Sequence, residues 1–146
     1  MPPRTQPRPP AAGGAPDLTR LFSELVRLET ELCGAVERRL RADYGLPLPH
    51  FEFMRVIART PDCRVQDIAT ELSITVGGTS KIVDRIEAAG HCARRANPDD
   101  RRSSIVELTP AGKRLLARAA VTVEDELRSR LARRFLIARR FSSPGR

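Results

Sequence analysis

The sequence contains no tryptophan and a single tyrosine, Tyr44, among its 146 residues. So few aromatic faces exclude a stacking platform for single-stranded nucleic acid or sugar rings. No apolar run approaches the ~20 residues of a membrane-spanning helix, so no membrane association is expected. The opening Met1-Pro-Pro-Arg-Thr-Gln-Pro-Arg-Pro-Pro has no apolar core, and a secretory signal is not expected. The three cysteines, Cys33, Cys63 and Cys92, are odd in number and far apart. Without a C-x-x-C pair they make no disulfide framework and point to a reducing, cytoplasmic compartment. His50 and His91 stand alone, so neither a metal site nor a cofactor is expected. No nucleophile–base pair, paired carboxylates or phosphate-cradling loop is present, which argues against an enzyme.

Charge is plentiful but uneven. The formal net charge is +8, yet no acidic residue follows Glu126, while seven arginines do. Arg4 and Arg8 add two more positive charges near the N-terminus. Residues 17–126 therefore sum to −1, and the global charge does not by itself argue for a polyanionic partner. Any such case must come from local placement.

Residues 1–16 hold six of the twelve prolines and read as a disordered arm. Asp17 then opens a long amphipathic helix over 17–44. Its stripe is Leu18, Leu21, Phe22, Leu25, Leu28, Leu32, Val36 and Leu40. At roughly 40 Å the helix exceeds what a small core can bury, which predicts a partner helix from a second subunit. A second helix starts near Pro49 and must end before Pro61. A short third helix carries Val65, Ile68, Ala69 and Leu72. Ser73-Ile74 forms a tight turn, Thr75 caps a fourth helix, and Gly90 ends it. On a helical wheel Val76, Thr79, Ile82, Val83 and Ile86 share an apolar back. Gly77, Ser80, Lys81, Asp84, Arg85 and Ala88 form a small, basic front. Two extended runs flanking Asn97-Pro-Asp-Asp-Arg-Arg read as a β-hairpin. Thr109-Pro110 opens a fifth helix, and residues 109–146 complete the chain as that helix and a short basic tail. The fold class is thus mainly α with a small hairpin wing: a winged helix-turn-helix over 45–108 between two long helices.

Three motifs lie in register. They are Ile68-Ala69-x-x-Leu72-x-Ile74-Thr75, then Lys81-Ile82-Val83-Asp84-Arg85-Ile86-Glu87-Ala88-Ala89-Gly90, then Asp100-Arg101-Arg102-x-x-x-Val106-x-Leu108-Thr109-x-x-Gly112. With these, the sequence resembles the multiple-antibiotic-resistance regulator (MarR) family over about residues 18–135. The resemblance implies a transcriptional regulator, a repressor for preference, that binds palindromic double-stranded DNA as a homodimer. It further implies release by a small-molecule effector of aromatic or phenolic type. The effector pocket would lie between the dimer helices and the DNA-binding part, with Tyr44, His50, Phe53, Met54 and Arg55 as candidate liners. The contrasting reading is a winged-helix protein-interaction module without sequence-specific DNA binding.

Chemistry assigns the DNA-reading roles. Ser80, Lys81 and Arg85 offer donors to phosphates and base edges, and Thr75 with the backbone at the helix start can meet a phosphate. Gly77 and Gly78 either let that start lie close to DNA or relieve crowding against the third helix. Arg101 and Arg102 at the wing tip suit a narrow, electronegative minor groove, and Arg102 holds the family's wing arginine position. Asp100 is expected to pair with a nearby arginine and stiffen the tip. Arg94 and Arg95 on the incoming strand are expected at phosphates. Cys33 is expected to pack on the stripe of the first helix rather than to sense oxidants.

Overall fold

The computed structural model describes residues 16–141. The arm expected over 1–16 lies outside the described residues except for Pro16, as does the tail beyond Phe141. The element order is α1 (Leu18–Tyr44), α2 (Leu48–Arg59), α3 (Val65–Glu71), α4 (Val76–Ala88), β1 (Cys92–Ala96), β2 (Ser104–Leu108) and α5 (Pro110–Phe141). This is a winged helix-turn-helix with long helices at both ends, as the residue pattern predicts. Among the described residues no helix is long and apolar enough to cross a membrane.

The chain divides into two compact units, the first ending at Glu31 and the second starting at Leu32. In the first, Asp17 caps α1: its carboxylate accepts the Arg20 N–H at 3.0 Å. Leu18, Leu21, Phe22, Leu25 and Val26 are all exposed there, a row of large apolar side chains on one short stretch of helix. Cys33, just beyond the unit boundary, is also exposed and does not pack as expected.

In the second unit a single core forms. Leu40 of α1, Phe53, Met54 and Val56 of α2, Ile68 of α3, Val83 and Ile86 of α4 and Val106 of β2 are essentially inaccessible. Each α2–α4 face follows from apolar spacing of three or four residues, and the three short helices close over one another and over the inward residues Cys92, Val106 and Leu108 of the hairpin. Proline positions the ends of α2: Pro49 sits in its first turn, and the helix stops at Arg59, ahead of Pro61.

The helix-turn-helix corner depends on Ser73, which takes a left-handed φ of 55°. That conformation lets Ile74 N–H reach the Ala69 carbonyl at 3.0 Å and close α3. Thr75 then caps α4: its Oγ1 accepts from Gly78 N–H at 3.2 Å. Buried Thr79 turns its hydroxyl onto the Thr75 carbonyl at 2.8 Å, so it is polar yet satisfied. At the other end Gly90, φ +79°, reverses the chain, and His91 N–H closes on the Ile86 carbonyl at 3.1 Å.

β1 and β2 pair antiparallel, with Cys92 opposite Leu108 and Ala96 opposite Ser104. A third rung was not legible in the sequence. Val106 N–H donates to the Cys63 carbonyl at 2.7 Å, and Arg64 bridges to Ile105. The wing is thereby pinned to the segment that leads into α3.

Thr109 and Gly112 join the wing to α5. The Thr109 hydroxyl donates to the Gly90 carbonyl at 2.6 Å and accepts from Gly112 N–H at 3.0 Å. A Cβ at Gly112 would lie 1.9 Å from the His91 carbonyl oxygen, which is backbone and cannot swing aside. Gly112→Ala should therefore cost at least about 1–3 kcal/mol of stability, the usual penalty of forced overpacking. Urea unfolding followed by circular dichroism checks this; an unchanged midpoint would refute the close approach.

Candidate nucleic-acid interface

The face formed by α4 and the wing begins with its arginines. Arg94 on β1 turns inward toward α4. Its guanidinium bonds Asp84 at 2.6 Å and also pairs with Glu87, whose carboxylate accepts the Arg94 backbone N–H at 3.1 Å as well. Partial burial alone would lower its pKa, but the two carboxylates overcome that and raise it. Arg95, one residue on, faces the opposite side and is held by Glu107 at 2.7 Å and Asp62 at 2.8 Å. Both arginines expected at phosphates are thus engaged by carboxylates of the fold.

The remaining cations of this face are different. Lys81 and Arg85 are exposed on the front of α4, and Arg101 and Arg102 are exposed at the wing tip. None of the four takes part in an ion pair among the described residues. Burial, and next the positive charge of Arg85, push the His50 pKa below its ordinary value.

Asp100 does stiffen the wing tip, though not through an arginine side chain. Its carboxylate accepts the backbone N–H of Arg102 at 2.9 Å, and its carbonyl accepts from Ser103 N–H at 3.1 Å. Asn97 closes the other side of the turn, with its side-chain amide on Ser103 Oγ at 2.9 Å. The tip is an Asx-type turn that presents Arg101 and Arg102 outward.

At the start of α4, a Cβ on Gly77 would meet nothing within 4 Å, and one on Gly78 would meet only the Thr75 hydroxyl at 3.1 Å. Neither glycine relieves crowding against α3. Val76, assigned by the helical wheel to the apolar back, is instead 53% exposed. The wheel gives a direction, not how much of that direction is covered at a helix end. Val76 and Ser80 line a concavity of about 300 Å³ with Gln66 of α3 and Arg102 of the wing.

The five residues expected around an effector differ in burial and in what they touch. Phe53 and Met54 are core, 2% and 0% exposed. Tyr44 bonds Thr122 Oγ1 at 2.7 Å and the Arg118 carbonyl at 3.2 Å, tying the end of α1 to α5. Arg55 is exposed over the Phe51 ring, and His50 is partly buried at the α2 start. A cavity of about 600 Å³ opens elsewhere, between Ile57 and Ala58 of α2, Val106 and Leu108 of β2, and Leu116 and Ala120 of α5. Lys113 supplies positive charge at this site, and Asp62 and Glu107 also border it. Cys63 lies in its wall, and burial pushes its thiol up to about 11, far from a reactive thiolate.

A model of the MarR family matches residues 44–103 of the chain. A structure of the transcriptional repressor CouR bound to a 23-mer DNA duplex is 30% identical, with a TM-score of 0.71, over 84% of this chain and 89% of that one. The chain belongs to the MarR family. The HTH-type transcriptional repressor Rv2887 of Mycobacterium tuberculosis is 32% identical over 79 residues, 54% of this chain and 57% of that protein. The match thus spans little more than half the length of this curated relative. A structure of Rv2887 in complex with p-aminosalicylic acid is 29% identical, with a TM-score of 0.64, over 77% of this chain and 85% of that one. The three motifs read in the sequence fall on α3 and the turn after it, on α4, and on the wing with the start of α5.

Since Gly77 meets no neighbour, Gly77→Ala should stabilise the fold by up to about 1 kcal/mol through helix propensity. Urea unfolding checks this. A loss of stability would mean that the glycine serves packing instead.

Proposed function

We propose that this MarR-family chain is a DNA-binding transcriptional repressor that grips a palindromic operator as a homodimer. The observation that carries this reading is the separation of the arginines. Arg94 and Arg95 are neutralised within the fold, whereas Lys81, Arg85, Arg101 and Arg102 stay exposed and unneutralised. Four such cations on one helix and one hairpin tip repel each other, and a polyphosphate relieves that repulsion. α4 then enters the major groove, with Ser80, Lys81 and Arg85 toward base edges and phosphates, and Arg102 enters the adjacent minor groove. Thr75 and the bare backbone at Gly77 and Gly78 sit where a phosphate meets the helix start. Residues 45–108 form the DNA-binding part. The N-terminal helix of 17–44, through its exposed apolar row from Leu18 to Val26, and the C-terminal helix and short basic tail of 109–146 supply the dimer contact.

Salt dependence tests this reading against that of a protein-interaction module. With duplexes enriched from random DNA, binding should weaken steeply with salt, at two chains per duplex by sedimentation. Arg102→Ala should lower the log–log slope by about one unit for each lost phosphate contact. Arg94→Ala should weaken binding through the wing while leaving the slope unchanged. Gly77→Ala, though stable, should bind more weakly because its methyl holds the helix start away from the duplex. No salt-dependent binding to any duplex would favour the protein-interaction module.

The repressor is released by a small aromatic acid held in the cavity between α2, β2 and α5, with Lys113 as counter-charge to the carboxylate. The apolar walls and the Lys113 ammonium support that class of effector, as does the p-aminosalicylic acid complex of Rv2887. Lys113→Ala should weaken effector binding about 10-fold or more, the loss of one charge-assisted contact, and leave DNA affinity without effector intact. Titrating salicylate into the DNA complex, followed by fluorescence anisotropy, checks it.

A further inference from the structure

We propose that Val76 reads the 5-methyl group of a thymine in the major groove. This rests on the DNA-binding reading above and names one base edge that the protein distinguishes. Val76 is the first residue of α4, and its side chain is 53% exposed although the rest of the helix's apolar set is covered. It stands one turn from Ser80, and both line the concavity shared with Gln66 and the wing's Arg102. An apolar, branched side chain is thus presented on the same concave surface as the Ser80 hydroxyl and the exposed guanidinium of Arg102. Arg64, Arg94 and Asp100 also line this surface, the two arginines paired with carboxylates of the fold and Asp100 turned onto the Arg102 N–H, so Arg102 is the cation left there for a phosphate. Within a duplex groove the apolar feature available to Val76 is the thymine methyl group, which hydroxyl and ammonium donors cannot reward. Recognition helices contact base edges with their N-terminal residues, where Val76 sits. The bare backbone of Gly77, with nothing within 4 Å of its missing Cβ, allows the approach that a methyl–methyl contact requires.

Deoxyuridine removes that methyl group and keeps every hydrogen-bonding edge of thymine. Duplexes enriched from random sequence by the full chain would be rebuilt with one thymine at a time replaced by deoxyuridine. At one position in each half-site the parent should lose about fourfold in affinity, the effect of one buried methyl group. Val76→Ala should bind the thymine duplex more weakly and no longer distinguish it from the deoxyuridine duplex at that position, while keeping the parent's salt slope. If no single replacement weakens the parent, or if Val76→Ala keeps the same deoxyuridine penalty, the proposal is overturned while DNA binding stands. If the full chain enriches no duplex at all, the DNA-binding reading fails, and this inference fails with it.

Discussion

The junction at Gly90, His91, Thr109 and Gly112 holds the recognition helix, the wing and α5 in one arrangement. Gly90 turns left-handed to end α4, and His91 both closes that helix and accepts the Thr109 N–H at 3.1 Å. The Thr109 hydroxyl bonds the Gly90 carbonyl while capping α5, and Gly112 brings the α5 backbone onto the His91 carbonyl. Three elements thus share polar groups across about two peptide units on each side. The geometry is fixed by backbone hydrogen bonds and one missing side chain rather than by apolar packing, which tolerates small slips. A rigid angle between α4 and the hairpin is what two-groove reading of a duplex would require.

Carboxylate placement decides which cations remain available. Asp84 and Glu87 are four and seven residues beyond Ser80 on α4, and they draw Arg94 back against the helix. Asp62 and Glu107 do the same for Arg95 from the loop before α3 and from β2. These pairs are at least partly solvent-exposed, and each is worth little as stabilisation. Their consequence is geometric: they brace the wing on both edges and leave the positive potential concentrated at Lys81, Arg85, Arg101 and Arg102. A near-neutral middle segment is therefore compatible with a strongly polar face, because the neutralising charges and the bare ones are spatially sorted.

What was legible in the sequence was local chemistry. Thr75 as a cap, Gly90 as a terminator, Pro49 and Pro61 around α2, and Thr109-Pro110 at α5 all act within four residues of themselves, and each element ends where those signals say. The ion pair of Arg95 with Asp62 was not legible, because the two are 33 residues apart and nothing in the spacing brings them together. Val76 was misassigned for a related reason. Periodicity gives the side of a helix that points inward but not how much of that side is covered at a helix end. Of Tyr44, His50, Phe53, Met54 and Arg55, the second helix's spacing did not show that Phe53 and Met54 fill the core, nor that a cavity opens between α2, β2 and α5. Cys33 lies on the stripe of α1, yet stripe membership and burial within one chain are different things when much of that stripe is exposed.

The 600 Å³ cavity has a consequence that follows from where its walls come from. Val106 and Leu108 belong to the wing's return strand, and Lys113 and Leu116 to the first turns of α5, so its two sides lie immediately before and after the Thr109 junction. Binding there can alter DNA affinity only to the extent that the ligand prefers one arrangement of those walls. A ligand that fits both equally shifts nothing, however tightly it binds. The tight contact of Gly112 with His91 leaves little freedom at the junction itself. At the border of the cavity itself, Val106 hangs on the Cys63 carbonyl and Arg95 on Asp62 and Glu107. Asp62 and Glu107 border the cavity and brace the wing at once, so a ligand that bonds either carboxylate would compete with Arg95 for it.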